Sequence, residues 1–175
     1  MKNTLRYLRL VVIRVVAVVM LPSLGCQSST EFTPTPSRSI TGSFLSGDTP
    51  FPRGYEAAKP GRGLKMADVE KMFPGGELWA LGYSIRPTSG PFTEVTYSTS
   101  VNGATHATPV EWCSYSVPQV DFERLRDEAI RVFGEKGMTV SNADPKYPSY
   151  VWPDIHGYKV ELYDVAMTLR QVGGP

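Results

Sequence analysis

Residues 121–137, DFERLRDEAIRVFGEKG, carry the strongest secondary-structure pattern in the chain, and the predicted fold is built around them. Apolar residues recur there at helical spacing and form one stripe, made of Phe122, Leu125, Ala129, Val132 and Phe133. Asp121 is suited to cap the first turn and Gly137 to end the helix. The pattern predicts one long amphipathic helix over 121–136 that packs its apolar stripe against a sheet.

The segments on both sides of this helix alternate apolar and polar side chains, as strands of a half-buried sheet do. Three such segments precede the helix and three follow it, at 77–86, 92–101, 110–117, 138–141, 149–152 and 158–172. In the last of them the apolar positions change face near Leu162, which favours a β-bulge or burial of both faces. A short helix is predicted over 65–73, because Pro74-Gly75-Gly76 then stops the helical spacing.

Together these elements predict an α+β fold in a single domain over 64–175. We expect an antiparallel sheet of about five to six strands, with the long helix packed on one face and the short helix before the sheet. Residues 26–63 are rich in Ser, Thr, Pro and Gly, which predicts a flexible tether. Isolated apolar residues within it, such as Phe44 and Phe51, are candidates for docking on the domain.

The first 25 residues differ from the rest of the chain in composition. Four positive residues, no acidic residue before Cys26, and an almost purely apolar run over 15–21 occur there. A charged start, a short apolar run and a small residue at the exit are typical of a secretory signal. A permanent membrane-spanning helix is the weaker interpretation, because the run is shorter than the ~20 residues needed and contains Arg14.

Ser23-Leu24-Gly25-Cys26 closes this segment. The four residues resemble the lipobox of bacterial lipoproteins. The resemblance implies cleavage between Gly25 and Cys26, removal of signal peptide 1–25, and a covalent lipid such as palmitate on Cys26. In that family, Gln27 after the cysteine implies transport to the periplasmic face of the outer membrane. A secreted protein without lipid and an uncleaved anchor are the alternatives.

Charge excludes one class of partner. The 175-residue chain has a formal net charge of +1, and removal of the four positive residues in 1–25 leaves −3. A slightly acidic product lacks the basic surface that nucleic-acid binding requires, so no nucleic-acid partner is expected. The basic residues at the start of the chain belong to export.

Residues 152–164, WPDIHGYKVELYD, place Asp154, Gly157 and Glu161 at a recognisable spacing. They resemble the run that ends a module of the vicinal oxygen chelate superfamily, and the preceding helix followed by KGMTV is similar to that module's helix and second strand. The resemblance covers about 110–165. It implies that Glu161 and Glu111 are divalent-metal ligands. A small-ligand or metal-binding domain of this type is the alternative function.

The remaining reactive residues give weaker signals. Cys113 has no disulfide partner if Cys26 carries lipid, and its strand-like neighbours predict a buried thiol. His106 and His156 lie next to turns and are interpreted as solvated, because a metal site needs three or four convergent ligands. The sequence contains neither a G-x-S-x-G elbow nor a P-loop, so a non-catalytic domain is expected.

Aromatic residues suggest how such a domain recognises a partner. Tyr147, Tyr150 and Trp152 lie close together among prolines and predict an exposed recognition surface. The three tryptophans each fall in a predicted strand, which favours the core. The layout of signal, tether, short helix and strands is similar to that of small envelope-assembly lipoproteins. We therefore expect a membrane-tethered cell-envelope domain that binds a protein, peptidoglycan or another envelope component.

Overall fold

The computed structural model describes residues 42–142 and 148–173. They form one eight-stranded antiparallel sheet and two α-helices, α1 (Met66–Met72) and α2 (Phe122–Phe133), with a short 3₁₀ turn before α2. The strands are β1 (Glu77–Trp79), β2 (Gly82–Ile85), β3 (Glu94–Ser98), β4 (Trp112–Ser116), β5 (Thr139–Ser141), β6 (Ser149–Ile155), β7 (Tyr158–Tyr163) and β8 (Ala166–Gln171). Within the described part of the chain, no helix has the length and apolar character of a membrane span.

The sheet order is β1-β2-β3-β4-β8-β7-β6-β5. Each helix is followed by four strands that form a meander, so the chain contains two successive α-β-β-β-β units. The units join where β4 pairs with β8, with Ser114 opposite Thr168 at the middle of the pair. Each unit runs from an outer edge of the sheet to its centre, with its first strand at the edge and its fourth strand at the junction. The two units therefore repeat the same topology.

The predicted antiparallel sheet with helices is confirmed, but the fold is mostly β and the predicted count of five to six strands is wrong. Two predicted strands are hairpins with two-residue turns. Residues 77–86 contain β1 and β2, and residues 158–172 contain β7 and β8. The second hairpin pairs Leu162 with Met167, which explains the change of face near Leu162 without a bulge.

The helices are shorter than predicted. Helix α2 is 12 residues long and ends at Gly134, whose φ of 74° stops it before the expected Gly137. Helix α1 covers seven residues of the predicted 65–73. The predicted apolar stripe of α2 does enter the core, since Phe122, Leu125 and Ala129 are buried in one cluster with the strand residues.

The core lies on one face of the sheet. The strand register puts buried apolar residues opposite one another across the whole sheet, for example Tyr97 opposite Cys113, Cys113 opposite Leu169, and Leu169 opposite Val160. Every buried hydrophobic strand residue in the described ranges lies on this face. The helices and residues 42–63 cover this apolar face. Each Å² of apolar area that is removed from water in this way stabilises the fold by roughly 25 cal/mol.

Residues 42–63, which we call the N-terminal arm, contradict the predicted flexible tether. Phe44, Leu45 and Ala58 are fully buried and Phe51 is 4% exposed. The arm has few apolar residues, but these four, which include the docking candidates Phe44 and Phe51, are part of the core. Their burial offsets the entropy of ordering the arm. The folded domain therefore begins at or before residue 42 rather than at 64. The predicted signal peptide, Cys26 and the first part of the tether lie outside the described residues.

Candidate functional site

The face of the sheet opposite the core is polar and its middle is a ladder of hydroxyl groups. Ser84 pairs with Thr96, and Ser114 pairs with Thr168 with their hydroxyl oxygens 2.9 Å apart. Among the described residues, no buried hydrophobic side chain lies on this face. We call it the open face, and its main residues are Glu77, Trp79, Ser84, Glu94, Thr96, Trp112, Ser114, Lys159, Glu161, Tyr163, Thr168 and Arg170.

Trp112 and Arg170 form a stacked pair near the centre of the open face. They are directly opposite each other on β4 and β8, and the Arg170 Cζ lies 4.7 Å from the Trp112 ring centroid. A cation over an indole ring contributes about 0.5–1 kcal/mol at an exposed site. The pair borders a cavity of about 320 Å³ that Lys159, Glu161 and Thr168 complete.

A second cavity lies over β1, β2 and β3. Its volume is about 520 Å³, and its walls are formed by Gly75, Gly76, Glu77, Trp79, Ser84, Arg86, Glu94 and Thr96. Trp79 is 39% exposed there, and Arg86 Nε lies 3.9 Å from Glu94 Oε1. The turn between β1 and β2 places Trp79 on this face, because it pairs Trp79 with Gly82.

Gly82, which follows the turn between β1 and β2, allows β2 to lie close against β3. A Cβ built on Gly82 would lie 2.0 Å from the carbonyl oxygen of Tyr97, which is far inside contact distance. Only glycine allows β3 to approach so closely at this point. The position of Trp79 on the open face therefore depends on glycine at residue 82.

Glu161 and Glu111, the two predicted metal ligands, line different cavities. Glu161 is on the open face, with its Oε2 3.0 Å from Lys159 Nζ. Glu111 precedes β4 and borders a separate cavity with Gln171 and others. It accepts hydrogen bonds from Ser100 and Thr99, and the Ser100 side chain is the main cause of its lowered pKa. In residues 42–142 and 148–173, no three His, Cys, Asp or Glu residues are grouped to hold a metal.

The predicted recognition surface is only partly exposed, and its tryptophan is in the core. Trp152 is 1% exposed, its Nε1 donates to the Gly134 carbonyl at 2.7 Å, and its ring contacts Phe133. Tyr150 is half-buried beneath the Arg126 guanidinium, while Tyr147 lies outside the described residues. The prediction was wrong for Trp152 because β6 directs it towards α2.

Cys113 is buried, as predicted, and both histidines are exposed. Burial raises the pKa of the Cys113 thiol to about 12, and the thiol donates to the Tyr115 hydroxyl at 3.2 Å. His106 Nε2 lies 3.1 Å from Glu70 Oε2, and His156 occupies the turn between β6 and β7 with a φ of 54°. The described contacts of these three residues are those of structural or solvated groups.

Burial should protect Cys113 from alkylation in the folded protein. With a pKa of about 12, the thiolate fraction at pH 8 is roughly one part in ten thousand, and the side chain is also inaccessible. In a full-length Cys26→Ser variant, which has one thiol, we expect iodoacetamide to react on the order of 100-fold more slowly without urea than in 8 M urea. Mass spectrometry measures both rates. Equal rates would show that Cys113 is accessible in the native state.

The sequence reasoning missed Trp79, Trp112 and Arg170 as surface residues. The sequence did contain a signal for Trp112. In an alternating strand, Trp112 lies on the same face as Ser114 and Ser116, and Cys113 and Tyr115 lie on the other face. A tryptophan in the polar register of a strand is the pattern that places an aromatic on the solvent side of a sheet, where Trp112 is half-buried. Trp79 had no comparable signal, since its face depends on the turn that follows it.

No family model, curated protein or solved structure matches the chain. What the chain does is therefore inferred from the open face and from the N-terminal sequence.

Proposed function

We propose that this chain is a lipid-anchored protein of the bacterial cell envelope whose domain binds another envelope component through the open face. The domain acts by binding rather than by catalysis. One observation carries the proposal: a face that crosses eight strands holds Trp112 and Arg170, stacked on each other, near its centre. A solvated face is normal for an antiparallel sheet, but folding does not require a tryptophan there. Tryptophan, tyrosine and arginine are the residues enriched at binding hot spots.

The N-terminal sequence supports the envelope location. Its charged start, apolar run and Ser23-Leu24-Gly25-Cys26 suit export and lipidation. Two or three acyl chains, each contributing about 0.8 kcal/mol per buried CH₂, would anchor the protein stably. Fifteen residues separate Cys26 from Gly42 and reach at most about 50 Å when extended. The domain can therefore meet a partner away from the lipid surface.

The anchor is tested by Cys26→Ser. This change should abolish incorporation of an alkyne-labelled palmitate into the protein made from the full-length chain, because the Cys26 thiol is the group to which the acylated lipid is attached. It should also move the protein from the membrane fraction to the soluble fraction of lysed cells. Cys113→Ser is the matched control and should keep both the label and the fractionation. Labelling that persists in Cys26→Ser would exclude lipidation at this residue.

The binding role is tested by site-specific photo-crosslinking in intact cells. A photoreactive phenylalanine at Thr168 on the open face should give a discrete adduct in the membrane fraction. The same group at Arg131, which is exposed on α2, should give none, because α2 covers the other face. Trp112→Ala should remove the Thr168 adduct. Equal adducts at both positions, or none at Thr168, would reject the open face as the binding surface.

A further inference from the structure

The two cavities of the open face present the same set of chemical groups. Each has an indole wall, a guanidinium, a carboxylate and a threonine hydroxyl. The first set is Trp79, Arg86, Glu94 and Thr96, and the second is Trp112, Arg170, Glu161 and Thr168. Each cavity can therefore receive a side chain with an apolar part and a polar end.

The cavities are too far apart for one small ligand. The first is centred on β2 and the second on β8, which are three strand spacings apart in the sheet order. At about 4.8 Å per spacing the centres are roughly 14 Å apart. A single sugar ring or amino acid does not bridge this distance, whereas two side chains on one folded surface do.

The area of the open face fits a protein partner. Eight strands give a width of about 34 Å, and five residues per central strand give a length of about 17 Å. The product is roughly 600 Å², and the flanking loops add to it. A stable protein interface buries about 800 Å² on each partner.

The charge of the open face disfavours a polyanion. Three basic and three acidic side chains line the two cavities. The basic ones are Arg86, Lys159 and Arg170, and the acidic ones are Glu77, Glu94 and Glu161. Interspersed charges of both signs set register and orientation on a partner with matching groups. A lipopolysaccharide or anionic lipid surface would instead meet three carboxylates.

A glycan is the less suitable occupant of the central cavity. Sugars stack on the free face of an aromatic ring, but Arg170 already lies over the Trp112 ring at 4.7 Å. A glycan stacked on that side would have to displace the guanidinium and lose the cation–π contact. An arginine held this way is well placed to pair with a carboxylate of a protein partner.

We propose that the partner is a folded envelope protein that docks across the whole open face and inserts one side chain into each cavity. The two tryptophans are the anchors, and the hydroxyl ladder between them supplies adaptable hydrogen bonds. This inference rests on the proposed binding function. It adds the class of partner and the requirement that both cavities are occupied at once.

The test places a photoreactive phenylalanine beside each of the two cavities on the open face of the full-length, membrane-bound chain. Glu77 on β1 lines the first cavity, Tyr163 lies on β7, the strand that contributes Lys159 and Glu161 to the second, and both residues are exposed. Both positions should give an adduct with the same protein, identified by mass spectrometry. Trp79→Ala should reduce the distant Tyr163 adduct at least fivefold, and Trp112→Ala should reduce the Glu77 adduct to a similar extent.

Leu81→Ala is the matched control, because Leu81 is 39% exposed, as Trp79 is, and lies in the turn that follows Trp79. It should leave both adducts unchanged, and all three variants should melt within a few degrees of the parent. Adducts that contain two copies of this chain, or that lysozyme digests, would overturn the inference in favour of self-association or a glycan. Different proteins at the two positions would also overturn it while leaving a binding role intact. Loss of every open-face adduct would reject the proposed function itself.

Discussion

Replacing Trp152 by alanine is expected to lower the free energy of unfolding by about 3–5 kcal/mol. The side chain is 1% exposed and packs edge-on against Phe133, with ring centroids 5.6 Å apart. Its Nε1 also donates to the Gly134 carbonyl oxygen at the end of α2. The change would leave a cavity between α2 and β6 and remove the partner of a helix-terminal carbonyl.

Urea denaturation of two further variants separates these causes. Trp152→Phe keeps most of the packing and loses the donor, so a smaller loss of about 1–2 kcal/mol is expected. Trp112→Ala changes the same residue type on the open face and should cost less than about 1 kcal/mol, mainly the contact with Arg170. If Trp112→Ala were as destabilising as Trp152→Ala, Trp112 would be a core residue and the open face would lose its central anchor.

The three tryptophans show how far a sequence pattern predicts a site. All three lie in strands, as the alternation predicts, but their faces differ. Trp112 is on the polar side of β4, and the residues around it predict this. Trp152 was assigned to a surface because prolines surround it, yet the register of β6 opposite Val160 buries it. Composition around a residue therefore predicts its face less well than strand register does.

The hidden hairpins show why the strand count could not be predicted. In a continuous strand, residues 79 and 83 would share a face. The turn between β1 and β2 instead pairs Leu78 with Tyr83 and puts Trp79 on the opposite side. Ala80 and Leu81 are not typical turn residues, so nothing local indicated the reversal. The contacts that fit this turn are non-local, because Gly82 lies against Tyr97. The Ala80 and Leu81 carbonyls also accept hydrogen bonds from backbone N–H groups of residues 99–104.

Local pattern predicts the N-terminal arm only in part. Isolated apolar residues such as Phe44 and Phe51 indicate docking on the domain, but the hydrogen-bonding partner of the arm is 83–85 residues away in sequence. Arg124 and Glu128 are four residues apart in α2, a spacing that by itself favours an exposed ion pair. In the structure Glu128 accepts the backbone N–H groups of Phe44 and Leu45, both at 2.9 Å. It also contacts the Ser43 hydroxyl. A polar helix residue thus holds the start of the folded domain in place.

Glu128→Ala should therefore destabilise the domain by about 2–4 kcal/mol, more than an ordinary surface change. The two N–H groups belong to residues that are fully buried, and without the carboxylate they lose a charge-assisted partner. Release of the arm would then expose core residues that it covers. Urea denaturation measures the loss, and faster tryptic cleavage after Arg53, which is exposed on the arm, reports the release.

Glu123→Ala is the matched control, because Glu123 is an exposed carboxylate on the same helix. It should change stability by less than about 0.5 kcal/mol. Glu128→Gln keeps one acceptor oxygen and should fall between the two alanine variants. If Glu128→Ala and Glu123→Ala behaved alike, the arm would be held by its apolar side chains alone. The difference in stability between Glu128→Ala and Glu123→Ala thus measures what the hydrogen bonds to the arm contribute, apart from the burial of its apolar side chains.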